Sequence, residues 1–237
     1  MASKRVIDVE CIKHVLSPIM GLKSSPDMTL PQAFTYAVDH CPTLRQKLDD
    51  EGLDNLDLIL RAATSAASKM VGRPGEVITN ADEIAAIHAW SQQSPLFPSM
   101  TVALRSADRE KIKAYFPYMK ILVRAFSHIV PTKGTFNRGV KLPIHGDYTT
   151  DQEITWWSFS SLMSNIAVLS NPQLLGKDGE RVMFQIECEA YDIARYLAFL
   201  NEAGFLLLQG TVLFVKACVD FGNGRGAAPT ARVAQPV

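Results

Sequence analysis

Long hydrophobic runs are missing from this chain. Segments such as Phe205 to Leu208 fall far short of the roughly 20 apolar residues that span a bilayer as a helix. The start, Met1-Ala2-Ser3-Lys4-Arg5-Val6-Ile7-Asp8, lacks the apolar centre of a secretory leader. Net charge is missing too. With 24 Lys and Arg against 24 Asp and Glu, nothing points to a nucleic-acid partner or a membrane surface. The four cysteines (Cys11, Cys41, Cys188 and Cys218) are far apart and never form Cys-x-x-Cys. That favours free thiols in a reducing compartment over a disulfide framework or a metal site. The five histidines are equally scattered, with no ligand-like pairing. Internal repeats and low-complexity tracts are absent as well. The expectation is a soluble, cytoplasmic protein with no bound metal, export without a cleavable leader remaining open.

What is present suits a folded chain. Apolar residues at 47% and charged residues at 20% describe a globular composition, and the length allows one larger domain or two small ones. Residues 1–79 read as a helical unit. Val6, Val9, Ile12 and Leu16 recur at three- and four-residue steps. Thr29-Leu30-Pro31 supplies a cap and a first-turn proline, and Pro42 opens a third helix. Leu53 to Met70 carries a broad apolar stripe. Val71-Gly72-Arg73-Pro74-Gly75 is a strong stop, taken as the boundary to a second domain over residues 80–220. Residues 221–237 read as a flexible tail. In the second domain Thr79-Asn80 caps a helix bearing His88, expected to be structural. A long helix follows from Ser106, with Ile112, Tyr115, Phe116, Met119, Leu122, Val123 and Phe126 on one face.

From Thr135 the pattern turns to strands. Val182 to Glu189 alternates, with Phe184, Ile186 and Cys188 inward and Glu187 and Glu189 outward. Two carboxylates side by side on a strand suit glycoside hydrolysis, but a solvated strand face looks the same and is the preferred reading. Gly146-Asp147-Tyr148 and Gly176-Lys177-Asp178-Gly179 are turns. Gly222-Asn223-Gly224-Arg225-Gly226 imitates a dinucleotide fingerprint without the strand-turn-helix context it needs.

Three strand-like stretches carry the chemistry: Phe136-Asn137-Arg138-Gly139-Val140, Trp156-Trp157-Ser158-Phe159-Ser160-Ser161 and Asn201-Glu202-Ala203-Gly204-Phe205-Leu206. An Arg beside a Gly suits an anionic ligand, because guanidinium grips phosphate with a fork of donors and Gly lets backbone approach. Hydroxyls on a second strand and a carboxylate near a third would complete a site for a ligand with phosphate and ribose parts. Trp156 and Trp157 must face opposite ways in a regular strand, one in the core and the other walling the site or touching a partner.

In this order, Arg, Ser-rich strand, then Glu-x-x before Leu206-Leu207-Leu208-Gln209-Gly210-Thr211, the chain resembles the arginine-type mono-ADP-ribosyltransferases. Their strands carry Arg, Ser-Thr-Ser and Glu-x-Glu. The likeness extends from Ala81-Asp82-Glu83 through Ser94-Pro95-Leu96 and Ala103-Leu104-Arg105-Ser106 to Gly210-Thr211-Val212. It implies an α+β fold, with two small packed β-sheets and flanking helices after the helical N-terminal unit. It also implies a transferase that uses NAD as substrate and a protein arginine as acceptor. Arg138 would grip phosphate, and the Gly139 backbone would admit the nicotinamide amide. Ser158 and Phe159 would border the cofactor. The Ser161 hydroxyl would position the last carboxylate, the loop over residues 165–181 would contact nicotinamide, and Tyr115 or Tyr118 would approach the ligand.

Two departures qualify the implied activity. Ser161-Leu162-Met163 keeps only the first Ser of the middle motif. Glu202 matches the first Glu of the last motif, the acceptor-choosing one, and Gly204 stands where the family has its catalytic Glu. Losing one positioned catalytic group implies transfer slowed by about two to four orders of magnitude. Three explanations stay open: a variant from which the carboxylate was removed, a pseudoenzyme that binds NAD or a partner, or a shifted register in which Glu202 itself is catalytic. NAD glycohydrolysis, with water as acceptor, is the remaining alternative.

Overall fold

The computed structural model describes residues 4–14, 19–51, 54–92, 94–141, 148–171, 175–176, 181–198 and 204–220. Several sequence expectations lie outside them: Glu202, the turns at Gly146-Asp147 and Lys177-Asp178-Gly179, and the tail from Gly222.

Strand β1 (Lys4–His14) is followed by helices α1 (Leu30–His40), α2 (Pro42–Glu51), α3 (Asp54–Met70), α4 (Ala81–Trp90), α5 (Leu96–Arg105), α6 (Glu110–Lys113) and α7 (Phe116–Ser127). Strands then dominate: β2 (Thr132–Val140), β3 (Glu153–Trp156), β4 (Ser160–Leu162), β5 (Arg181–Asp192), β6 (Phe205–Leu207) and β7 (Thr211–Asp220). The expected α+β architecture is present, but β1 corrects the N-terminal reading. Residues 4–14 form a strand, not a helix, lying between β7 and β5 and running parallel to β5. The stretch is ambiguous by pattern. Val6, Val9 and Ile12 fit a helical step, whereas Ile7 and Val9 fit an alternating one. Branching at Cβ favours the extended form once a sheet is there to accept it. Ile7 and Val9 are buried in the sheet core.

The helical start signals work as sequence chemistry predicts. Thr29 and Gln32 form a reciprocal capping box ahead of α1, with Pro31 in its first turn. The Asn80 carboxamide accepts from Asp82 N at 2.8 Å to start α4. The single helix expected after Ser106 is two, α6 and α7. Pro117 has no N–H to continue the ladder and sits in the first turn of α7, so the chain breaks before it. The apolar faces of α1 to α3 join those of α4, α5 and α7 in one continuous buried cluster around Phe34, Ile84, Tyr118 and Phe126.

β5 connects the two sheets. It pairs with β1 on one edge, from Arg181 to Glu187, and with β2 on the other, from Val182 to Ala190. Tyr191 and Asp192 then pair with β6, which continues to β4. Its alternation is as expected: Phe184, Ile186 and Cys188 are buried, Glu187 and Glu189 exposed. Glu187 is tied to Lys216 at 2.8 Å, and Lys216 reaches Glu10 at 2.9 Å, so the outer face of this sheet carries an ion-pair network rather than a carboxylate dyad.

Candidate functional site

A cleft of about 470 Å³ opens where α5, β2, β3 and the approach to β4 meet. Arg138 from β2 and Arg105 from the end of α5 line it, with Tyr148, Trp156, Trp157, Ser158 and Ser160. No carboxylate lines it among the described residues.

Among the described residues, each guanidinium makes one hydrogen bond. Arg138 Nη1 donates to the Ser161 carbonyl at 3.0 Å and the group lies over the Trp156 ring, 5.8 Å from its centroid. Arg105 Nη2 donates to the buried Ser158 hydroxyl at 3.3 Å. With five N–H groups apiece, both retain donors for an anion. Burial, and next the Arg105 charge, push the Arg138 guanidinium down to about 10. It therefore remains charged at neutral pH, in a pair whose mutual repulsion an anion would relieve.

The two indoles are apolar walls with one polar anchor. Trp156 Nε1 donates to the Tyr148 hydroxyl at 3.2 Å, and Trp156 and Tyr148 both pack on Phe184 at the base. Arg109 lies over the Trp157 ring, 5.6 Å from its centroid. Both tryptophans line the cleft because Trp157 falls just beyond the end of β3, where strict alternation no longer applies.

The sequence candidates divide between this cleft and the interior. Arg138 and Ser158 are in it. Ser160 lines it too, whereas Ser161 does not. Pairing explains the division: Ser160 is opposite Leu207 and Ser161 opposite Leu206, and directly opposed residues share a face. Leu207 belongs to the core between the strands, together with Phe136. Leu206 belongs to the core under the helices, so the Ser161 side chain projects towards the helices and only its carbonyl serves Arg138. Phe159 is buried against Phe126 in that same core and makes no wall of the cleft.

Gly139 and Gly204 are required by packing. A Cβ on Gly139 would meet Leu175 Cβ at 2.7 Å and Leu169 Cδ2 at 3.2 Å, so its missing side chain makes room for leucines on the far side from Arg138. A Cβ on Gly204 would lie 2.7 Å from Ala194 Cβ and 3.6 Å from Asp192 Oδ1. Position 204 therefore faces a second hollow, lined by Val77, Ile129, Asp192, Ala194, Arg195 and Tyr196, and not the arginine cleft. Tyr115 and Tyr118 are core residues; the Tyr118 hydroxyl donates to Ala86 O at 2.9 Å, and Tyr115 contacts Cys41 Sγ at 3.2 Å. His88 is structural as expected, its Nδ1 3.0 Å from Tyr196 O, with burial holding it below its ordinary value.

Arg105, Tyr148, Thr155 and Ser160 are site residues that motif reasoning did not single out, and it expected one tryptophan in the cleft wall where both are. The alternation Ser158-Phe159-Ser160 is the signal that marks two hydroxyls on one side.

No protein-family model and no curated protein matches the sequence. Solved structures do match in shape. The crystal structure of the eukaryotic mono-ADP-ribosyltransferase ART2.2 aligns over 87% of this chain and 90% of its own, at 13% identity and a TM-score of 0.59. A mutant of that enzyme in complex with NAD aligns over 93% of this chain and 97% of its own, at 14% identity and a TM-score of 0.55. The type III effector XopAI from Xanthomonas axonopodis pv. citri aligns over 80% and 88%, at 13% identity and a TM-score of 0.52. The chain has the fold of the mono-ADP-ribosyltransferases.

Proposed function

We propose that this chain binds NAD in the arginine cleft and acts as a mono-ADP-ribosyltransferase with a protein arginine as acceptor. Its turnover would lie about two to four orders of magnitude below that of a site with a positioned carboxylate. The carrying observation is the pair Arg105 and Arg138 converging beneath two indoles in one cleft. A diphosphate would sit between the guanidiniums, and the flat heterocycles of a dinucleotide would lie on Trp156 and Trp157. Breaking the nicotinamide–ribose bond develops positive charge on the ribose, as in glycoside cleavage. Ser158 and Ser160 supply hydroxyls for orientation, and the carboxylate to offset that charge is assigned to Glu202. Glu202 is also the residue that would select an arginine acceptor.

Gly204 favours a second reading, a module that binds NAD without cleaving it, because Ala194 leaves no room there for an acidic side chain. Incubating the chain with NAD and following nicotinamide release, with and without an arginine analogue, separates the readings. Slow release accelerated by the analogue supports the transferase. Release indifferent to it identifies a glycohydrolase, and binding without release identifies the module. Glu202→Gln should abolish whatever release is seen.

A further inference from the structure

Among the described residues, the charge lining the cleft is of one sign. Arg105 and Arg138 line it, Arg109 backs one of its indole walls, and the described lining contains no Asp or Glu. The acidic residues on either side of Arg109 in sequence do not correct this: Asp108 and Glu110 are exposed and engaged with Lys111 and Lys113. The two lining guanidiniums are fixed by uncharged partners, a backbone carbonyl and a serine hydroxyl, so neither has its charge offset by the protein bonds that orient it. Such an arrangement discriminates between ligands of similar shape by total charge. NAD carries a diphosphate and, at its far end, a cationic pyridinium ring. NADH keeps the diphosphate and loses that positive charge, and ADP-ribose lacks the ring altogether.

We propose that the cleft selects diphosphate ligands by net charge, favouring those without a cationic ring, so that it holds ADP-ribose and NADH more tightly than NAD. The inference rests on the reading that a dinucleotide occupies this cleft, and adds which charge state it prefers. An indole face attracts a cation, but Trp156 and Trp157 already carry Arg138 and Arg109 over their rings, which offsets that attraction for a further cation and leaves the guanidiniums repelling only the oxidised nicotinamide. At a separation of about 8 Å and an intermediate dielectric, one such repulsion corresponds to roughly a three- to tenfold difference in affinity. The cleft would then retain the ADP-ribose product of any slow cleavage, making the chain a holder of ADP-ribose at least as much as a consumer of NAD.

Titration calorimetry on the full chain with NAD, NADH and ADP-ribose at low salt tests this. The expected result is tighter binding of NADH and ADP-ribose than of NAD by about three- to tenfold, narrowing as salt screens the charges. Arg105→Gln, checked for folding by circular dichroism, should weaken all three ligands and shrink the difference to about twofold or less. NAD binding as tightly as NADH would overturn the inference and leave NAD occupancy standing. A difference that Arg105→Gln does not reduce would overturn it as well, by detaching the preference from the arginine pair. If none of the three ligands binds, the reading of the cleft as a dinucleotide site falls, and the inference with it.

Discussion

Arg138 is the residue on which the cleft turns, since it combines a fixed donor geometry, an indole under its plane and a like charge facing it. Arg138→Ala should weaken NADH binding by about 10- to 100-fold, the scale of losing charged hydrogen bonds, read by calorimetry. Arg138→Lys should recover only part of this, because an ammonium is a point charge that neither forks nor stacks. Gly204 tests a different idea. If the missing catalytic side chain merely needed restoring, Gly204→Glu would accelerate nicotinamide release. The 2.7 Å approach of Ala194 Cβ predicts the opposite: no gain, and a loss of stability of about 1–3 kcal/mol in urea denaturation. Ala194→Gly in the same chain should return part of that stability. The contrast also shows where sequence information stops. Arg138 is legible because its chemistry is tied to one residue. The choice between Ser160 and Ser161 is not, because slipping a strand by one residue exchanges its two faces, and only pairing with β6 decides.

At the scale of elements, β1 is the clearest case of tertiary context overriding pattern. Its central position between β5 and β7 makes it part of the sheet that supports the cleft floor. Val9→Asp, at a fully buried position, should cost about 3 kcal/mol or more and lower the cooperativity of unfolding for the whole sheet, not for a detachable N-terminal unit. By contrast β5, α1 and α4 were legible from sequence, since clean alternation and side-chain capping are local signals. The break before Pro117 also has a local signal, a residue without an N–H inside the apolar stripe that crosses it. The segment over residues 193–198 is anchored from elsewhere. The Tyr196 hydroxyl donates to Glu76 Oε1 at 2.5 Å, Arg195 Nη1 to Gly75 O at 3.0 Å, and Ala198 N to Ser91 Oγ at 2.8 Å. Those partners are 100 or more positions away in sequence, which is why no local pattern announces them.

At the scale of the whole molecule, the helices brace the sheets and one of them, α5, also lends Arg105 to the arginine cleft, while His88 belongs to the bracing. Burial holds its imidazole below the ordinary 6.5, partly opposed by the Tyr196 carbonyl. A depressed histidine favours the neutral folded form, so the unfolded chain takes up the proton first as pH falls. This histidine's stability contribution is therefore present above its ordinary value and lost through and below it. The melting temperature should drop on acidification from about pH 7.5 to about 5.5, and His88→Gln should flatten that drop. Glu76, Tyr196 and His88 together tie residues 193–198 to the helical layer.

The central claim is that a dinucleotide diphosphate sits between Arg105 and Arg138. A crystal structure of the chain soaked with NADH tests it most directly. The predicted result is a diphosphate within hydrogen-bonding distance of both guanidiniums, with a ring against Trp156 or Trp157. A ligand bound in the hollow beside Gly204 and Ala194, or anywhere else away from Arg138, would contradict it.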